Sequence, residues 1–190
     1  MKSLKFKLCL TILFSVLGVS QAQLFLTNGL VSFYPFNGNA HDAIGTNNGT
    51  IYGAVLSTNR FGKSNSAYLF NGSSSYIDLG QPTNLLFINN FTLSAWCWFN
   101  GGVNNPRIIS YRESYGYDFF TSGTGSCRPI AVQIGGSQFT TGSCFSQNVW
   151  HAVVMVVTNG YSSGCVDLSE DVCGLSGEAT TAGIKDGCPI

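Results

Sequence analysis

Apolar residues along this chain recur in short runs cut by turn dipeptides, with no long stretch of helical spacing. Phe91, Leu93, Ala95, Cys97 and Phe99 alternate with Thr92, Ser94, Trp96 and Trp98, the period of two that belongs to a strand. Positions 153–157 are apolar throughout, which predicts a central strand covered on both faces. Asn37-Gly38, Asn71-Gly72 and Asn159-Gly160 are tight-turn signals. Between such breaks the pattern predicts strands over 30–36, 50–56, 66–70, 75–79, 91–99, 107–111, 115–121, 130–139 and 149–158. Beyond Gly160 the pattern fades. Tyr161 is the last aromatic, yet 162–190 holds five of the nine acidic residues and three cysteines. The segment 161–190 therefore reads as an irregular Cys- and Gly-rich tail: a stapled appendage, a disordered end, or sequence out of the domain's frame.

Composition agrees with an all-β domain. Aromatics make up 13% of the 190 residues and glycine contributes 23 of them, while charged residues reach only 9%, against about 25% for an average soluble domain. The length suits one domain with a sizeable core.

Formal charge is zero because the N-terminus is basic. Lys2, Lys5 and Lys7 precede a twelve-residue, largely apolar stretch, 8–19, too short to span a bilayer, and then Ser20-Gln21-Ala22. This is the pattern of a signal peptide over 1–22, with cleavage after Ala22. Secretion to the medium or cell surface follows as an expectation, with no membrane insertion after cleavage. The mature chain keeps six basic against nine acidic residues. Lacking a basic stripe, it is not expected to bind nucleic acid.

Export also sets the redox compartment. Cys9 leaves with the leader, and Cys97, Cys127, Cys144, Cys165, Cys173 and Cys188 remain, an even set compatible with bridges. Cys127 and Cys144 bracket a hairpin turning at Gly135-Gly136. In that register, positions whose numbers add to about 271 face each other, which predicts a Cys127–Cys144 disulfide. Cys97 sits on the apolar alternation and reads as a small core residue. The three tail cysteines receive no pairing.

Several stretches resemble the laminin-G-like, or concanavalin A-like, jelly-roll family. They are Gly29-Leu30-Val31-Ser32-Phe33-Tyr34-Pro35-Phe36-Asn37-Gly38, the loop Asp42-Ala43-Ile44-Gly45-Thr46-Asn47-Asn48-Gly49-Thr50, and Arg60-Phe61-Gly62. Ala67-Tyr68-Leu69-Phe70-Asn71-Gly72, Ser75-Tyr76-Ile77-Asp78-Leu79, Phe91-Thr92-Leu93-Ser94-Ala95-Trp96 and Trp150-His151-Ala152-Val153-Val154 follow in the family's order. No one motif is specific; the ordered set is. The resemblance implies a two-sheet antiparallel jelly-roll sandwich over 23–160. It also implies closing strands, one bearing an Asp-Gly turn and then an Asp-rich one leading to an Arg-Ile-Tyr-like segment; 162–190 does not read as that series, so this copy of the domain reads as incomplete.

The family's fold hosts both lectins and glucanases, so catalysis must be judged from residues. A retaining glycosidase needs two carboxylates roughly 5–5.5 Å apart. The sandwich region offers only Asp42, Asp78, Glu113 and Asp118, no two of them at i, i+2. His41 and His151 accompany no nucleophile elbow, and no Cys/His spacing fits zinc. The reading is therefore non-catalytic: a binding or adhesion module for glycan or extracellular protein. A glucanase-like hydrolase and a ligand-free structural spacer are the alternatives.

Two sites are candidates. Asp42, Gly45, Asn47 and Asn48 form a loop of the hard-oxygen kind that holds Ca²⁺, and the resemblance implies a structural calcium there; Asx-turns are the competing reading. Tyr111, Tyr115 and Tyr117 cluster round one loop and are expected to form a sugar-stacking face. Trp96 and Trp98 share one strand face, with Trp96 expected in the core. Asn48, Asn71 and Asn90 begin glycosylation sequons.

Overall fold

A computed structural model describes residues 28–87, 89–101, 105–111, 116–123, 128–134, 137–158, 161–166 and 174–176. Among them the chain is all-β, with one short 3-10 turn at Thr83–Leu85. No helix among the described residues is long and apolar enough to cross a membrane. Strands β1 (Thr50–Tyr52) and β4 (Tyr76–Asp78) form one two-stranded sheet, and β2 (Val55–Ser57) and β3 (Ala67–Leu69) another. Two four-stranded sheets carry the core. The first runs β12 (Gly174–Ser176), β11 (Tyr161–Val166), β10 (Trp150–Thr158), β5 (Phe91–Trp98). The second runs β6 (Arg107–Tyr111), β7 (Tyr117–Thr121), β8 (Arg128–Ile134), β9 (Ser137–Phe145). All strand pairs are antiparallel.

The core lies where these two sheets meet. Val153, Met155 and Val157 of β10 cluster with Tyr117 and Phe119 of β7 and Ile130 and Val132 of β8, with Phe91, Leu93, Ala95 and Cys97 of β5 packed alongside. Phe119, Ile130, Val153 and Met155 are fully buried, each contributing about 1.5–3 kcal/mol of apolar burial.

The strand at 30–36 does not form. Pro35 lacks an N–H, Phe36 is in the left-handed region at φ 53°, and the Phe33 amide goes to the Asp42 carboxylate rather than to a neighbouring strand. The 50–56 run is split into β1 and β2 at Gly53, whose φ is 65°. Central placement of β10 is as expected, but its covering is not. Its inward residues are buried while Trp150, Ala152, Val154 and Val156 on the other face remain half-buried.

The tail also departs from irregularity. Thr158 pairs with Tyr161 and the ladder continues to Val153–Val166, so β11 adds to the free edge of β10, and β12 then adds to β11. Ladder bonding uses only main-chain groups, so an apolar-poor segment satisfies an open edge as well as an apolar one. In the β8–β9 hairpin, Ile134–Ser137 through Ala131–Thr140 follow the expected register; the register then shifts, and Cys144 stands opposite Pro129. Proline cannot donate to the ladder, which accounts for slippage there. Cys127 lies outside the described residues.

Candidate functional site

The Asp42 loop is the most heavily bonded polar feature of the N-terminal part. Asp42 is buried, with one oxygen accepting from the amides of Phe33 (3.0 Å) and Ile44 (3.1 Å). The other accepts from the Ser32 hydroxyl (2.8 Å) and the Asn47 amide (3.4 Å). Burial works against the charge, but the donated bonds from Gly45, Phe33, Ser32 and Ile44 outweigh it and hold the carboxyl well below the usual range. Asn47 donates its amide nitrogen to Ser32 Oγ (2.8 Å), and Asn48 Oδ1 accepts from the Asp42 amide (3.0 Å). Glycine is required at 45, because a Cβ there would lie 2.7 Å from Asp42 Oδ2 and 3.1 Å from the Val31 carbonyl. The four residues expected to hold calcium are thus brought together, with the carboxylate surrounded by N–H and O–H donors. Such donors repel a cation and occupy the lone pairs it needs, and this geometry favours the Asx-turn reading.

The tyrosine face needs correction. Tyr117 is only 4% exposed, belongs to the core and donates its hydroxyl to the Leu85 carbonyl at 3.0 Å. Its ring packs 5.2 Å from Phe91 and 6.0 Å from Tyr111, centroid to centroid. Burial, with Tyr111 and Tyr34 adding, pushes its hydroxyl up to about 12. The reason is position: Tyr117 and Phe119 share the face of β7 that clusters with Val153, Met155 and Val157 of β10. Tyr111 is half-buried against the same core, and Tyr115 lies outside the described residues.

The tryptophans lie the other way. Phe91, Leu93, Ala95 and Cys97 take the inner face of β5, so parity turns Trp96 and Trp98 outward, 50% and 49% exposed. Trp98 stands directly across from Trp150 of β10, with ring centroids 5.9 Å apart at 69°. Trp96 stands across from Ala152, whose small side chain leaves its ring uncrowded. Arg60, in the loop between β2 and β3, places its guanidinium carbon 4.0 Å from the centroids of both Trp96 and Phe61. Phe61 is 75% exposed. Residues 60, 61, 96, 98 and 150 thereby make a broad aromatic surface. Sequence reasoning noted the shared face of Trp96 and Trp98 but assigned Trp96 to the core; alternation puts the two on one face, and only packing against the opposing sheet turns that face outward.

Groups with catalytic potential are tied into structure. Asp118, 1% exposed, accepts from the Ser110 hydroxyl and from Arg107 Nε at 3.3 Å. Glu113 lies outside the described residues. His151 Nε2 lies 3.0 Å from the Ser146 carbonyl and 3.1 Å from its hydroxyl. A bond to the carbonyl needs the hydrogen on Nε2, whereas a bond from the hydroxyl needs it on Nδ1, so the tautomer decides which of the two contacts forms. Cys97 is half-buried across the ladder from His151, packed against the core, and desolvation pushes its thiol up to about 12. Among the described residues no three of His, Cys, Asp and Glu gather as metal ligands.

In comparisons with family models, with curated proteins and with solved structures, the chain finds no match.

Proposed function

We propose that this chain is an exported, non-catalytic binding module of the laminin-G-like jelly-roll kind, and that it recognises glycan on the outer face of β5 and β10. The observation that carries this reading is the exposure of Trp96 and Trp98 on one strand face beside Trp150. Large indoles left in water on a sheet face cost solvation that a monomer ordinarily avoids, and such patches mark interaction surfaces. The C–H-rich face of a pyranose packs on an indole, while Thr92 and Ser94, exposed on the same face, supply hydroxyls at its margin. The signal-like pattern over 1–22 supports export, and intact-mass measurement of exported material should find Gln23 at its N-terminus.

A saccharide panel read by intrinsic tryptophan fluorescence tests the binding reading. Saturable quenching that Trp98→Ala removes is the expected result. Capture of protein ligands alone, with no response to any saccharide, would replace glycan by a protein partner.

A further inference from the structure

The β2–β3 loop that carries Arg60 is closed by its own hydrogen bonds. Asn59 Oδ1 accepts from the amides of Phe61 (3.0 Å) and Lys63 (3.1 Å), and the Asn59 amide donates to the Lys63 carbonyl at 3.0 Å. Gly62, with φ 79°, donates its own amide back to the Asn59 carbonyl at 3.0 Å. At the loop's base, the Ser66 amide donates to the Ser57 carbonyl at 3.0 Å, which continues the β2–β3 ladder. The closed loop carries the guanidinium onto Phe61 and Trp96.

These ring contacts are the only partners Arg60 has among the described residues; no carboxylate or hydrogen-bond acceptor engages it. A guanidinium has five N–H donors in a rigid planar fork. Contact with the rings engages no hydrogen-bond acceptor and leaves that fork unspent. The loop 58–66 contains a second cation, Lys63, and no acidic residue. A guanidinium set 4.0 Å from two ring centroids, with no other partner among the described residues and beside an indole platform, matches one ligand chemistry in particular: a sugar ring bearing a carboxylate.

We propose that Arg60 is the carboxylate anchor of the platform, which therefore takes uronate-containing saccharides in preference to neutral ones. The proposal rests on the glycan-binding reading and adds the charge of the ligand to it. The ring of a uronic acid would lie on the exposed tryptophan face while its carboxylate meets the fork side-on, with two parallel N–H···O bonds.

The test uses the full chain and four probes: oligogalacturonate, the same oligomer as its neutral methyl ester, dextran and dextran sulfate. Tryptophan quenching is titrated for the wild type, Arg60→Gln, Arg60→Lys and Trp98→Ala, with far-UV circular dichroism confirming that each variant is folded. Oligogalacturonate should bind at least about tenfold more tightly than its ester, the scale of one charge-assisted bidentate contact. Arg60→Gln should erase that preference, bringing acid and ester to the same affinity. Arg60→Lys should recover only part, because an ammonium lacks the fork. Equal affinity for the acid and the ester, or an Arg60→Gln variant that keeps the preference, would overturn the anchor and leave glycan binding standing. Tighter binding of dextran sulfate than of oligogalacturonate would overturn the carboxylate assignment. No response to any of the four would remove the glycan reading itself.

Discussion

Ser32 donates its hydroxyl to Asp42 Oδ2 at 2.8 Å, and its oxygen in turn accepts from Asn47 Nδ2 at 2.8 Å. This relay joins the segment before the loop to the loop itself, where no ladder does so. Asp42→Asn would set an N–H₂ group against N–H and O–H donors. The expected cost is about 2–3 kcal/mol, the loss of bonds to a charged acceptor plus the stranding of buried donors. Thermal unfolding at neutral pH reads it directly.

The same carboxylate sets an acid dependence. Its pKa in the fold is depressed by donated hydrogen bonds. Its contribution is therefore complete above the unfolded value of about 3.9 and is lost as pH falls below it toward the folded value. Wild-type stability should decline on acidification through that window more steeply than that of Asp42→Asn. Parallel slopes for the two proteins would exclude Asp42 as the titrating group.

Calcium and chelator should leave the melting temperature unchanged, since both Asp42 oxygens already accept from donors. Ligand binding at about 100 times its dissociation constant would stabilise by about 2.7 kcal/mol, which a melting curve with millimolar Ca²⁺ and then with EDTA resolves easily. Stabilisation by Ca²⁺ would mean that the loop opens and turns its oxygens toward the ion.

Two substitutions in β7 separate packing from hydrogen bonding. Phe119 is fully buried, and Phe119→Ala should cost about 3–5 kcal/mol. Tyr117→Phe keeps the ring but strands the Leu85 carbonyl, for about 1 kcal/mol. Chemical denaturation measures both. Saccharide affinity should be unaffected by Tyr117→Phe, because that hydroxyl faces the core.

Cys97 should resist alkylation in the folded protein and react on unfolding, since burial raises its thiol from 9.0 to about 12. The raised value favours the protonated fold. Its contribution is full below the unfolded pKa and declines as pH climbs through that value toward 12. Non-reducing peptide mapping tests the bridges: the sequence expectation joins Cys127 to Cys144, whereas the slipped register sets Cys144 opposite Pro129, and Cys97 is expected unbridged. A Cys97-containing bridge would contradict both its burial and its ladder position opposite His151.

Alternation along 91–99, the hairpin about Gly135-Gly136 and the all-β class were legible in the sequence because each is a local matter. Side-chain direction in a strand reverses at every residue, and glycine pairs turn the chain wherever they stand. Tertiary structure decided which face of each strand met water. Alternation divides β5 into two sets without saying which is inside. Both sets contain large apolar residues, and contact with β10 and the opposing sheet put Leu93 and Cys97 within and Trp96 and Trp98 without. Tyr117 lies on the face of β7 that clusters with β10, so a residue in an aromatic and polar stretch became core. The register slip at Pro129 and the pairing of 161–166 with β10 were equally hidden. Main-chain hydrogen bonds at an open edge depend on which segment arrives there, and side-chain periodicity carries no record of that. The contact of Arg60 with Trp96 spans 36 positions of the sequence, and only the packing of the β2–β3 loop against β5 brings cation and ring together.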